Sequence, residues 1–191
     1  LIRGWGHGCE VVAPSKTPRR PGDRVKTDRR DARKLVALFR AGELVGVVPP
    51  IEEEEAVRDL VRCREAAQKR LNASRHQLDK YLTRNGCIYR QGKNWTTRHH
   101  AWLRSLVFDD WKRERVFQTY LFAIEQNQER VKRLDADILR AAEEEPYRTL
   151  VGFVRCFRGL DTLSAMVVTS ELFGIGRFTT ADSLMGFIGM V

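Results

Sequence analysis

The chain has 191 residues, 42% of them hydrophobic, which is enough for one ordinary domain or two small ones with a real core. Its longest apolar runs, such as residues 44–48 and 165–168, are far too short to span a bilayer, and no basic start leads into an apolar leader. We therefore expect a cytoplasmic protein without a membrane span. The formal net charge of +9 points to a polyanionic partner, and nucleic acid is the commonest one in that compartment.

The charge is uneven along the chain. Residues 1–50 hold eleven Lys/Arg against five Asp/Glu, residues 51–146 nineteen against seventeen, and residues 147–191 four against three. Cys9, Cys63, Cys87 and Cys156 are scattered without a CxxC pair, which predicts reduced thiols and no zinc site; His7, His99 and His100 lack a second ligand pair at suitable spacing.

In chain order, GCEVVAPS (8–15) reads as a short strand running into a Pro-marked loop, and 18–23 is loop. From about 28 to 41, Ala32, Leu35, Val36 and Phe39 fall at helical spacing, with Gly42 as the stop. ELVGVVPP (43–50) is a second strand. Strand, helix, strand predicts a βαβ-type unit with a parallel pair.

Beyond Pro50 the spacing turns to long helix. Val57, Leu60, Arg64, Ala67, Leu71, Ser74, Leu78 and Tyr81 mark one heptad seam; Ile124, Val131, Leu134, Ile138 and Ala141 mark another. Two such helices predict an antiparallel hairpin or packing against a second subunit. Between them a turn-rich stretch opens an aromatic helix (85–111), Pro146 ends the arm, and 147–191 reads as short, apolar helices. The acidic runs 52–55 and 143–145 are solvated helix ends.

Two acids, Asp28 and Asp31, stand in a basic stretch with Lys26, Arg29, Arg30, Arg33 and Lys34. The plainer reading makes Asp28 an N-cap and Asp31 a helix-dipole partner. The functional reading notes that residues three apart share a face, so both carboxylates can hold Mg²⁺ while the cations neutralise phosphates. In the arm, Trp95, Trp102 and Trp111 with Arg98, His99 and His100 form an aromatic-basic patch able to stack on unpaired bases. Trp102 fits a core position, and Trp95, beside a Gly-Lys turn, is the nucleic-acid candidate.

GDRVKTDRRDARKL (22–35), RAGELVGVVPP (40–50), EEAVRDLVRCR (54–64) and NWTTRHHAWL (94–103) resemble, in this order, the DEDD-type transposases of bacterial insertion sequences, the bridge-RNA-guided recombinases. The resemblance implies a fold class: the C-terminal part of an α/β RuvC-like, ribonuclease-H-type DEDD domain over 1–50, a coiled-coil arm over 51–146, and the start of a small all-α transposase domain over 147–191, predominantly helical as a whole. It makes Asp28 and Asp31 the third and fourth acids of a Mg²⁺ site. The first Asp and the Glu are expected upstream of Leu1, Glu10 being an ordinary strand residue, and the nucleophilic serine downstream of Val191. A chain starting at Leu1 reads as a fragment, and on this view an inactive one. In the intact enzyme the implied activity is serine-dependent DNA strand exchange directed by a guide RNA, with homo-oligomerisation through the arm.

RGLDTLSAMVVTSEL (158–172) resembles a helix-hairpin-helix turn, but Asp161 stands where the family has a glycine, and an ordinary turn capped by Asp161 competes with phosphate binding. GIGRF (174–178) is a helix stop rather than a phosphate loop. Ser164, Ser170 and Ser183 lack an elbow or triad context and are capping or surface residues. Two further classes stay open: a Holliday-junction-type nuclease, and a non-catalytic nucleic-acid-binding coiled coil.

Overall fold

Helical spacing in the middle of the chain becomes two long helices, α2 (Glu52–Arg84) and α4 (Trp111–Ala141), in a computed structural model that describes residues 3–14, 17–18, 27–172 and 174–189. The described residues are predominantly helical and divide into two units, Leu1–Ile51 and Glu52–Val191. No helix among them is long and apolar enough to cross a membrane.

In the first unit, β1 (Val11–Val12) pairs with β2 (Gly46–Val47), Val11 opposite Val47 and Val12 opposite Gly46. The pair is antiparallel, which corrects the parallel βαβ expectation. A parallel crossover needs its helix laid on the sheet. Here α1 (Asp28–Arg40) leaves Leu35, Val36 and Phe39 exposed and buries only Leu38. Gly46 admits the Glu10 side chain, whose Oε1 would stand 2.5 Å from a Cβ at that position, so Glu10, expected in the strand, lies just before β1 with its side chain folded over β2.

α1 stops as its sequence predicts. Gly42 takes φ +69°, its N–H donates to the Phe39 carbonyl (3.1 Å) and the Glu43 N–H to that of Leu38 (3.0 Å). This is a Schellman ending, and a side chain at residue 42 would strain it.

In the second unit α2 and α4 run antiparallel, because their cross-contacts advance in opposite directions: Arg64 with Asp135, Ser74 with Asn127, Tyr81 with Arg113. Seam residues Ala67, Leu71, Leu78 and Tyr81 meet Phe117, Leu121, Ile124 and Val131 in one core, joined by Leu103 of α3 (Thr97–Ser105). Full burial of each such aliphatic side chain stabilises by about 1.5–3 kcal/mol. Two expected seam positions are polar rungs instead of apolar contacts. Arg64 Nε donates to Asp135 Oδ1 (2.7 Å), and Asn127 Nδ2 donates to Ser74 Oγ (3.0 Å).

A second core closes the open end of the hairpin, where Val61, Ile138 and Ala142 pack with Tyr147 and Val151 of α5 (Tyr147–Val154) and Ala165 and Met166 of α6 (Thr162–Glu171). Pro146 starts α5 from its N-cap position, α4 having ended at Ala141. Glu171 at the end of α6 is clamped to α2. Its Oε2 accepts from Arg58 Nε (3.1 Å) and Nη2 (2.9 Å), and its Oε1 from Arg62 Nε (2.8 Å). Those bonds, Arg62's foremost, hold the carboxyl below its ordinary pKa. The chain continues through a 3-10 turn at Ile175–Arg177 to α7 (Ala181–Ile188), capped by Thr180.

Candidate nucleic-acid and metal site

Residue 27, not 28, caps α1. Thr27 is extended (φ −139°, ψ 145°), its Oγ1 accepts the Arg30 N–H (3.4 Å), and its carbonyl accepts the Asp31 N–H (2.9 Å). Thr and Asp are both good caps, and here the helix opens one residue earlier than expected. Asp28 therefore takes the first helical position and Asp31 the fourth, both against the positive end of the dipole. Freed from capping, Asp28 is exposed; Asp31 is half-buried. Neither carboxylate is committed to a hydrogen bond or ion pair among the described residues.

Helical spacing fixes what lies around them. Asp31 and Ala32 lie three and four residues after Asp28, Leu35 lies four and three after them, and Phe39 four after Leu35, so the acids head the exposed apolar stripe of α1. Arg29 and Arg33 form a neighbouring row and Arg30 and Lys34 a third. The three arginines are exposed. The cations thus flank the acid row rather than share its face. Lys26 lies outside the described residues.

Two carboxylates on one helical turn are hard oxygen donors of the kind Mg²⁺ takes, but they supply at most part of its octahedral shell. No group of three or more His, Cys, Asp or Glu side chains suited to a metal occurs among the described residues.

Trp95 lies in the other unit and is built into a cluster. Its ring meets His99 edge-on (centroids 5.1 Å apart), and the Arg75 guanidinium stands 5.1 Å from the ring centroid. Trp95 has φ +65°, a left-handed backbone rare for a bulky residue. That turn points its N–H at His99 Nδ1 (3.1 Å), while Thr96 Oγ1 caps α3 by accepting the His99 N–H (3.3 Å). His99 is buried, stacks on Trp102 (5.4 Å) and meets Tyr89 edge-on (4.8 Å). Burial lowers its pKa, against the attraction of Asp79. An Nδ1 that accepts a hydrogen bond belongs to a neutral imidazole. Asp79 itself is pushed up by burial, and Arg75 is lowered by burial.

Sequence reasoning placed Trp102 in the core, where it packs, but missed Tyr89, inside the same stretch, and Arg75 and Asp79, which lie on α2 far from it in sequence. The exposed tryptophan of the patch is Trp111, at 73%. In the tail, Asp161 caps α6, its Oδ1 accepting the Ser164 N–H at 2.7 Å, as the plainer reading expected. That bond is the main reason its carboxyl lies below the ordinary range. Ser170 Oγ donates to the Val167 carbonyl and Ser183 Oγ to that of Thr180, so both serve local helix structure.

No protein-family model matches the chain, and no solved structure matches it. Two curated proteins do. It is 40% identical, over an alignment of 194 positions covering all of the chain, to y4qE of Sinorhizobium fredii (strain NBRC 101917 / NGR234), provisionally named a transposase. It is 38% identical over 173 positions, 90% of the chain, to the transposase for insertion sequence element IS1533 of Leptospira borgpetersenii. It covers 46% and 50% of these proteins. The chain is a homologue of proteins named as transposases and spans about half the length of the curated relatives it matches.

Proposed function

We propose that the chain is part of a DNA transposase and that Asp28 and Asp31 contribute half of its acidic Mg²⁺ site. The observation that carries this is the acid pair itself: two uncapped, uncommitted carboxylates one helical turn apart, in a chain 40% identical to a protein provisionally named a transposase. The remaining ligands would come from acids elsewhere in the intact protein and from water, as Mg²⁺ prefers.

Bound there, Mg²⁺ would stabilise charge on a phosphodiester at the moment of strand cleavage. Asp28 and Asp31 would hold the ion; Arg29, Arg30, Arg33 and Lys34, on the flanking rows, together with Lys26, would neutralise neighbouring phosphates and position the DNA. The resemblance to bridge-RNA-guided recombinases extends the proposal. A serine from the C-terminal domain attacks the phosphodiester, forming a phosphoserine bond as the P–O bond to the departing deoxyribose oxygen breaks; an RNA guide selects the DNA, Trp95 stands near the nucleic acid, and the arm joins subunits in a homo-oligomer.

The test uses the intact transposase carrying this segment, with Asp28→Asn and Asp31→Asn compared with Thr27→Ala. Strand exchange should fall by about 10³-fold in either Asn variant, the scale of several kcal/mol of charge stabilisation. Thr27→Ala should instead cost about 1 kcal/mol of stability and leave the rate of folded protein unchanged. Wild-type strand exchange from the double Asn variant would refute the metal role.

A further inference from the structure

The arm is nearly neutral as a whole, but its charge is segregated. Between residues 84 and 115, the end of the hairpin formed by the close of α2, α3 and the start of α4, there are eight Lys/Arg against three Asp/Glu. The rest of the arm, 51–83 and 116–146, holds eleven against fourteen. All eight cations at the tip are exposed.

Their pairing differs as well. Four arginines of the shaft are tied down: Arg58 and Arg62 to Glu171, Arg64 to Asp135, Arg133 to Glu129. Among the described residues no ion pair engages Lys93, Arg98, Arg104, Lys112, Arg113 or Arg115. Two of the three tip acids are already committed to backbone N–H groups. Asp110 Oδ1 caps Lys112 (3.0 Å), and Glu114 Oε2 accepts from Phe108 (3.1 Å). Amid this field Trp111 is 73% exposed, with Lys112 Nζ 5.9 Å from its ring centroid.

We infer that the hairpin tip is a docking surface for an unpaired nucleic-acid strand, on which Trp111 stacks a base and the unpaired lysines and arginines hold the flanking phosphates. Positive charge with an exposed aromatic is the pairing that single strands require; a duplex, whose bases are already stacked, offers Trp111 nothing. The surface belongs to the second unit and the acid pair to the first, and the inference does not depend on that pair.

The test measures binding of the full chain to fluorescent 20-nucleotide uridine RNA, thymidine DNA and a DNA duplex, as wild type, Trp111→Ala, Trp111→Phe, Lys112→Gln/Arg113→Gln/Arg115→Gln, and Arg29→Gln/Arg30→Gln/Arg33→Gln. Trp111→Ala should weaken single-strand binding about 5- to 150-fold, Trp111→Phe should restore most of it, and duplex binding should not change. Removing three tip charges should flatten the salt dependence by about two log units per log unit of salt. The stronger of the RNA and DNA arms then names the strand. Wild-type binding by Trp111→Ala with intact helical circular dichroism would overturn the inference. So would single-strand affinity lost only in the α1 triple variant, or a Trp111→Ala change that alters self-association in sedimentation and not binding. Because the α1 variant is read separately, failure of the tip leaves the acid-site proposal standing.

Discussion

His99 is where a change of pH should be felt in the stability of the helical hairpin. Its Nδ1 accepts the Trp95 N–H at 3.1 Å, and its ring lies between Trp102, Tyr89 and Trp95 with 1% exposure. Protonating Nδ1 removes the acceptor and brings a charge into the cluster, near Asp79 but also near His100. The direction follows from linkage. Burial lowers the folded pKa, so the unfolded chain binds this proton more readily; the contribution is fully present above the unfolded value of about 6.5 and is lost as pH falls below it. His100, also lowered chiefly by burial and by Arg104 and Arg75 with Glu125 opposing, adds in the same direction. Asp79, raised by burial, works the opposite way, its contribution being lost as pH rises from the unfolded carboxyl value.

His99→Phe separates the ring from its acceptor. The ring volume is kept, and the Trp95 N–H is left without its partner, which costs about 1–3 kcal/mol. His99→Ala loses the ring as well and should cost about 2–5 kcal/mol. Urea unfolding followed by circular dichroism at pH 7.5 and 5.5 reads both effects. The wild type should lose more stability between these pH values than His99→Phe does. Equal losses in the two proteins, or His99→Phe within 0.5 kcal/mol of wild type at pH 7.5 (a margin of the size typical for neutral surface changes), would refute the neutral-acceptor assignment.

Two other perturbations probe the same unit. Glu171→Gln weakens the clamp between α6 and α2; because Glu171 is 38% exposed, solvent screening limits the expected loss to about 1 kcal/mol. Its folded pKa lies below the ordinary value, so that contribution is present above the unfolded carboxyl value of about 4.3 and fades as pH falls through the folded one; the Gln variant should show a flatter acid limb in thermal melts. Phe117→Ala opens a cavity where a 1%-exposed ring packs on Phe108 (5.3 Å), and should cost about 3–5 kcal/mol by urea titration, with a cost under 1 kcal/mol arguing against this core.

The long helices were legible because apolar residues at heptad spacing leave a helix no other way to bury them; Ala67, Leu71, Leu78, Ile124, Val131 and Ile138 are all buried. Spacing also marked the Arg64 and Ser74 seats, but Asp135 and Asn127 lie too far along the chain for their partnership to be visible. Val61, off the expected seam, is buried because α5 and α6 cover that end of the hairpin, a tertiary fact. The direction of the strand pair could not be read, since alternation is the same in both senses. At the candidate site the acids and their helix were legible, while the choice of Thr27 over Asp28 as cap was a near tie between two good capping residues.

The polar rungs act as an index mark on the hairpin. Sliding α4 by one heptad against α2 would set Arg64 against Gln128 or Ala142 in place of its Asp135 partner and leave Asn127 without Ser74, so only one alignment satisfies both. A helix of 33 residues is about 50 Å long. With its alignment fixed, the pair works as a gauge of set length, holding its far end at one distance from the α5–α6 base instead of a range of distances.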